Sequence, residues 1–127
     1  MKLMKISYKI FDRKGFKKTP VIHFFEEAYT GLGDLLNVDY SLITLDDILS
    51  EIDKVESGES SLEEIGSERS MVEIRKDECV IYDAFEGIVE DDELYPTIKM
   101  PTPEFKKIVV EWKAEREKLL DRINNEK

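Results

Sequence analysis

A chain of 127 residues, 41% hydrophobic and 9% aromatic, is long enough to bury one core without support from disulfides or metal. Its single cysteine, Cys79, excludes an internal disulfide, and no stretch approaches the roughly 20 apolar residues of a membrane helix. A net charge of −10 disfavours nucleic acid and anionic lipid as partners, so a cytoplasmic single domain spanning residues 1–127 is expected.

Met4, Ile6, Tyr8 and Ile10 alternate with Lys5, Ser7 and Lys9, the period-two pattern of a strand with one buried face. The lysines that interrupt this opening leave no apolar run for a secretion signal. Asp12-Arg13-Lys14-Gly15 reads as a turn and residues 21–25 as a returning strand, which together predict a hairpin. A helix opened by Thr19-Pro20, with Val21, Phe24, Phe25 and Ala28 at helical spacing, is the competing reading. Gly31-Leu32-Gly33 is expected to break the chain before a short helix or helical turn starting at Asp34-Leu35-Leu36.

Thr44 then caps a clearer helix. Its apolar stripe is Leu45, Ile48, Leu49, Ile52 and Val55, Asp46 and Asp47 sit at the positive end of the dipole, and Gly58 supplies the stop. Residues 56–70 are polar apart from Leu62 and Ile65, as a loop with a short edge strand would be. Residues 71–74 and 79–82 flank Arg75-Lys76-Asp77-Glu78 like the strands of a second hairpin. After an acidic segment over 83–93, residues 95–100 read as a further strand. Thr102-Pro103-Glu104 opens a last helix, in which Phe105, Ile108, Val109, Trp112, Leu119, Leu120 and Ile123 recur at helical spacing and Trp112 is the largest group to be buried. The order is roughly ββαβββα, an α+β fold with helices packed on an antiparallel sheet.

The residue types that carry chemistry are sparse. His23 is the only histidine, and His23-x-x-Glu26-Glu27 has no second histidine or cysteine nearby to complete a metal site. Cys79 stands beside Glu78 and near Asp83, charges that would raise a thiol pKa, so it reads as a core residue and not a nucleophile. Gly31-Leu32-Gly33 is followed by Leu36 where a dinucleotide fingerprint needs glycine, and Asp91-Asp92-Glu93 lacks the spacing of a calcium loop. No catalytic residue, metal or cofactor is expected, and an enzyme of unknown class ranks below a binding protein. Arg13, Lys14, Lys17 and Lys18, with Phe16 as the lone interleaved aromatic, read as a solvated turn and not as a nucleic-acid site.

Charge is distributed unevenly. Residues 1–25 carry net +6 and residues 99–127 net +2, whereas residues 26–98 hold 22 acids against four cations, net −18. Residues 26–53 and 77–98 contain no lysine or arginine at all. Two clusters pair these carboxylates with tyrosine: Glu26, Glu27, Tyr29 and Asp34, and then Asp83, Glu86, Glu90, Asp91, Asp92, Glu93 and Tyr95. Carboxylates accept charge-assisted hydrogen bonds from Lys and Arg, and tyrosine adds contact area at low entropy cost, so both clusters are candidate contacts for a basic protein.

The layout resembles the small immunity proteins of bacterial polymorphic-toxin and contact-dependent growth inhibition systems. The features that carry the resemblance are the Phe24-Phe25-Glu26-Glu27-Ala28-Tyr29-x-Gly31-Leu32-Gly33-Asp34-Leu35-Leu36 passage, the Val55-x-x-Gly58 helix end, the hairpin around Arg75-Lys76-Asp77, and the closing helix from Thr102-Pro103-Glu104-Phe105 to Trp112. The resemblance implies a cytoplasmic antidote that binds one cognate toxin domain, often a basic nuclease, and occludes its active site. An acidic face suits that role, because a nuclease must be basic to hold phosphates. An adaptor or regulatory subunit that binds another basic protein is the alternative.

Overall fold

The computed structural model describes residues 5–67, 70–84 and 96–125. Strands β1 (Ile6–Phe11) and β2 (Thr19–Phe24) form an antiparallel hairpin with Tyr8 opposite Ile22 and Ile10 opposite Pro20. Gly15 takes φ +90° at its tip, where a side chain would be strained. Of the two readings of residues 19–25, the strand is therefore the one adopted.

A single 3-10 turn, Glu27–Tyr29, leads into α1 (Thr30–Leu36). Gly31 and Gly33 do not break the chain as expected; they lie inside this helix. Tertiary packing overrides their poor propensity: Gly31, Leu32, Leu35 and Leu36 are all buried, and the Gly31 carbonyl accepts a hydrogen bond from Ser70 Oγ at 2.6 Å. Helix α2 (Leu45–Glu56) follows the sequence pattern closely. The Asp47 N–H donates to Thr44 Oγ1 at 3.1 Å and the Thr44 N–H to Asp47 Oδ2 at 2.9 Å, a reciprocal capping box. Gly58 terminates it at φ +84°.

Strands β3 (Glu63–Gly66), β4 (Ser70–Ile74), β5 (Glu78–Asp83) and β6 (Ile98–Pro101) form a four-stranded antiparallel sheet in sequence order. Helix α3 (Thr102–Asn125) starts directly after β6. Its first residue is buried and tied to the β4–β5 turn, through the Thr102 N–H to the Asp77 carbonyl at 3.1 Å and Thr102 Oγ1 to the Arg75 carbonyl.

The fold is α+β with antiparallel strands, as expected, and the strands are divided between two sheets where the sequence suggested a single one. The reason lies in Asn37. The Ile22 N–H donates to Asn37 Oδ1 at 3.0 Å, and Asn37 Nδ2 donates back to the Ile22 carbonyl at 3.1 Å and to the Gly33 carbonyl at 2.9 Å. One side-chain amide takes the place of a neighbouring strand at Ile22, the middle of the outer edge of β2. A single hydrophobic cluster nevertheless spans both sheets and the three helices. At its centre Trp112 is wholly buried, stacked on Tyr8 with ring centroids 5.8 Å apart, and its Nε1 donates to the Leu36 carbonyl at 2.7 Å. Among the described residues, no helix is long and apolar enough to cross a membrane.

Candidate protein interface

The first acidic cluster sits at the entry to α1. Glu26 has extended backbone (φ −90°, ψ 132°), and its carbonyl accepts the Tyr29 N–H at 3.0 Å, which sets the 3-10 turn. Thr30 Oγ1 donates to the Glu27 carbonyl at 2.7 Å. These bonds hold the Glu27 side chain outward, and Asp34 is exposed one helical turn further on. Tyr29 is half-buried, its ring tilted against Phe24 at 6.4 Å, so part of it belongs to the core and only the remainder can meet a partner.

Only Asp83 of the second cluster falls within the described residues; Glu86, Glu90, Asp91, Asp92, Glu93 and Tyr95 lie outside them. Asp83 is not the surface carboxylate that its neighbours in sequence suggested. It ends β5 on the same side as Cys79 and Ile81 and is only 8% exposed, because side chains two apart on a strand share a face. Its place in the fold still matters. Asp83 pairs with Ser70 across the β4–β5 ladder, and Ser70 Oγ bonds the first turn of α1. The end of β5 therefore adjoins the first turn of α1.

The same alternation reveals a surface that grouping by charge missed. Opposite the buried Cys79, Ile81 and Asp83, the residues Glu78, Val80 and Tyr82 point away from the core. The cross-strand register continues this outer face as Glu64, Glu73, Val80 and Lys99 in one row and Met71 and Tyr82 in the next. Tyr82 Oη donates to Glu64 Oε1 at 2.8 Å, which fixes the phenol among carboxylates. Period-two reading of residues 78–83 would have separated the two faces.

Other acids of the middle segment are answered within the molecule. Asp39 pairs with Arg116 at 2.6 Å, Asp46 with Lys113 at 2.6 Å and Glu56 with Lys106 at 2.7 Å, so α3 supplies counter-charges along α2 and the turn before it. The pairing carboxylates hold the Lys106 and Lys113 ammonium groups above their usual range, chiefly through the hydrogen bonds. Lys18 lies 3.8 Å from Asp12 across the hairpin tip, and Arg13 stacks over Phe16 at 5.4 Å. The tip of β1–β2 is thus a basic turn with local partners.

Cys79 is fully buried, and burial pushes its thiol up, with Glu78 adding to the shift and the Thr102 hydroxyl partly offsetting it. His23 is half-buried with its ring edge-on to Phe25 at 4.7 Å. Among the described residues, no three His, Cys, Asp or Glu side chains converge as a metal site would require. A hollow of about 440 Å³ between the end of α2 and the β4–β5 turn is lined by Val55, Gly58, Ser60, Ser61 and residues 75–78, and contains none of the expected contact residues. Comparison with protein-family models, with curated proteins and with solved structures returned no match.

Proposed function

We propose that the chain is an antidote that binds one basic protein, in the first place a toxin nuclease domain, and neutralises it by stoichiometric occlusion of its active site. The observation that carries this reading is the acidic turn at the entry to α1, where Glu27 and Asp34 are exposed and Glu26 is half-exposed. The first turn of α1, next to this acidic turn in sequence, is tied through Ser70 to the end of β5, and residues 83–93 are a further acidic stretch of the sequence. Carboxylates grouped in this way can compete with the phosphates of a nucleic acid for the same basic groups, and they steer encounter at rates that reach about 10⁸ M⁻¹s⁻¹ at low salt. Lys106, Lys113 and Arg116 lie along α2, so they do not cancel this end of the molecule. The mechanism requires no chemistry from the antidote itself. Its carboxylates pair with Lys and Arg of the toxin, half-exposed tyrosines fill the contact, and the substrate is excluded from the covered surface.

The tagged protein, used as bait in its source cells at low and moderate salt, is expected to retain one basic protein at near 1:1. That protein should cleave nucleic acid when freed from the complex. Recovery of a basic partner that has no toxic activity would transfer the reading to an adaptor, and recovery of no stoichiometric partner at either salt would reject both.

A further inference from the structure

Among the described residues, the β2 edge of the hairpin is bonded at Ile22 and the β1 edge is open, and the ladder identifies which backbone groups are involved. Both backbone groups of Ile22 bond to Asn37, away from β1, so Tyr8 and Ile22 form a non-hydrogen-bonded pair. By the alternation of an antiparallel ladder, Ser7, Lys9 and Phe11 then bond to β2. The Lys5 carbonyl agrees, accepting the Phe25 N–H at 3.1 Å. Pro20 opposite Ile10 agrees too, since a non-hydrogen-bonded position needs no donor. Ile6, Tyr8 and Ile10 therefore turn their N–H and C=O groups outward. On β2 the outward groups of Ile22 meet the Asn37 amide; on β1 no described residue meets them. A six-residue strand whose edge no described residue covers is a template for strand addition.

The side chains along this edge define what would fit. Ile6, Tyr8 and Ile10 pack against the core and offer an apolar inner row. Lys5 and Lys9 are exposed on the outer side, in a segment of net +6 over residues 1–25. A second copy of the chain would oppose this positive strand with its own, a like-charge pairing that is disfavoured. We infer that β1 takes up an extended segment of a partner protein as a third strand, its apolar residues alternating toward Ile6, Tyr8 and Ile10 and its acidic residues toward Lys5 and Lys9. This surface has the opposite polarity to the acidic end and stands whether or not the partner there is a toxin.

The test uses the full chain, isotopically labelled, with two short blocked peptides as probes, one of alternating valine and glutamate and one of alternating valine and lysine. The glutamate peptide is expected to slow hydrogen exchange of the Ile6, Tyr8 and Ile10 amides about tenfold or more, leaving Ser7 and Lys9 unchanged because they already bond to β2. The exposed substitution Lys9→Glu should weaken that peptide about tenfold and make the lysine peptide the better ligand. Three results would overturn the inference: neither peptide protecting the three amides, the glutamate peptide binding only at the hairpin tip with those amides still exchanging fast, or a free protein that is dimeric with the amides already protected.

Discussion

At the scale of single residues, two polar side chains decide more of the fold than their number suggests. Asn37 satisfies both backbone groups of Ile22 and braces α1 through the Gly33 carbonyl. Asn37→Ala leaves an N–H and a C=O on a buried strand without partners, at roughly 1–3 kcal/mol each. A loss of about 2–6 kcal/mol in urea denaturation is expected, with an unchanged denaturant slope. Asp83 is the second case. As a carboxylate 8% exposed beside Ser70, it should tolerate charge reversal poorly: Asp83→Lys is expected to cost about 3 kcal/mol or more. Glu27→Lys, on the exposed face of a turn, should leave stability within about 0.5 kcal/mol and act on association alone. Far-UV circular dichroism and urea midpoints on the two variants distinguish these outcomes. Neither residue's role was evident from composition. Asparagine at position 37 carries no period, and Asp83 was grouped with the acids that follow it although strand alternation grouped it with Cys79 and Ile81.

At the scale of elements, legibility tracked the strength of the local signal. The Thr44 cap of α2, the Gly58 stop, the edge strand within residues 56–70, the second hairpin and the α3 stripe were all readable, because each rests on short-range chemistry or a clear period. Helix α1 was misread because its glycines are poor helix formers and its stability comes from burial against strands distant in sequence. The division into two sheets was hidden for the same reason, since the β2 edge is met by a side chain fifteen residues from Ile22, the residue it bonds. Gly66 illustrates a constraint of this kind. A Cβ there would collide with the Ser70 carbonyl and with Met71 on the neighbouring strand, so backbone must move to admit it. Gly66→Ala is expected to destabilise the β3–β4 pairing by about 1–3 kcal/mol, measurable as a lowered thermal midpoint with faster amide exchange in β3.

At the scale of the whole molecule, the charge segregation legible in the sequence has two destinations. Part of the acidic middle is neutralised by α3 through Asp39, Asp46 and Glu56, and part is presented at the entry to α1 and on the outer face of the four-stranded sheet. No local pattern divides these, because the ion pairs join residues 50 to 77 positions apart. Raised pKa values also set the response to alkali. Burial lifts the Cys79 thiol and the Tyr8 phenol, the latter helped by Glu111 and Glu115. Groups whose pKa is higher in the folded than in the unfolded chain stabilise fully below the unfolded value, and that contribution is lost as pH rises toward the folded one. Stability is therefore expected to be flat up to about pH 8 and to fall above it, first through Cys79, whose unfolded thiol ionises near 8.5. Urea midpoints between pH 7 and 10 test this, and Cys79→Ala should remove the first part of the decline.

The measurement that bears most directly on the proposed function is a titration of the captured basic partner with the purified protein, following cleavage of nucleic acid. Activity should fall linearly and vanish at one equivalent, with Glu27→Lys and Asp34→Lys together slowing the onset at low salt. A partner that remains fully active in a stable 1:1 complex would contradict occlusion of its active site.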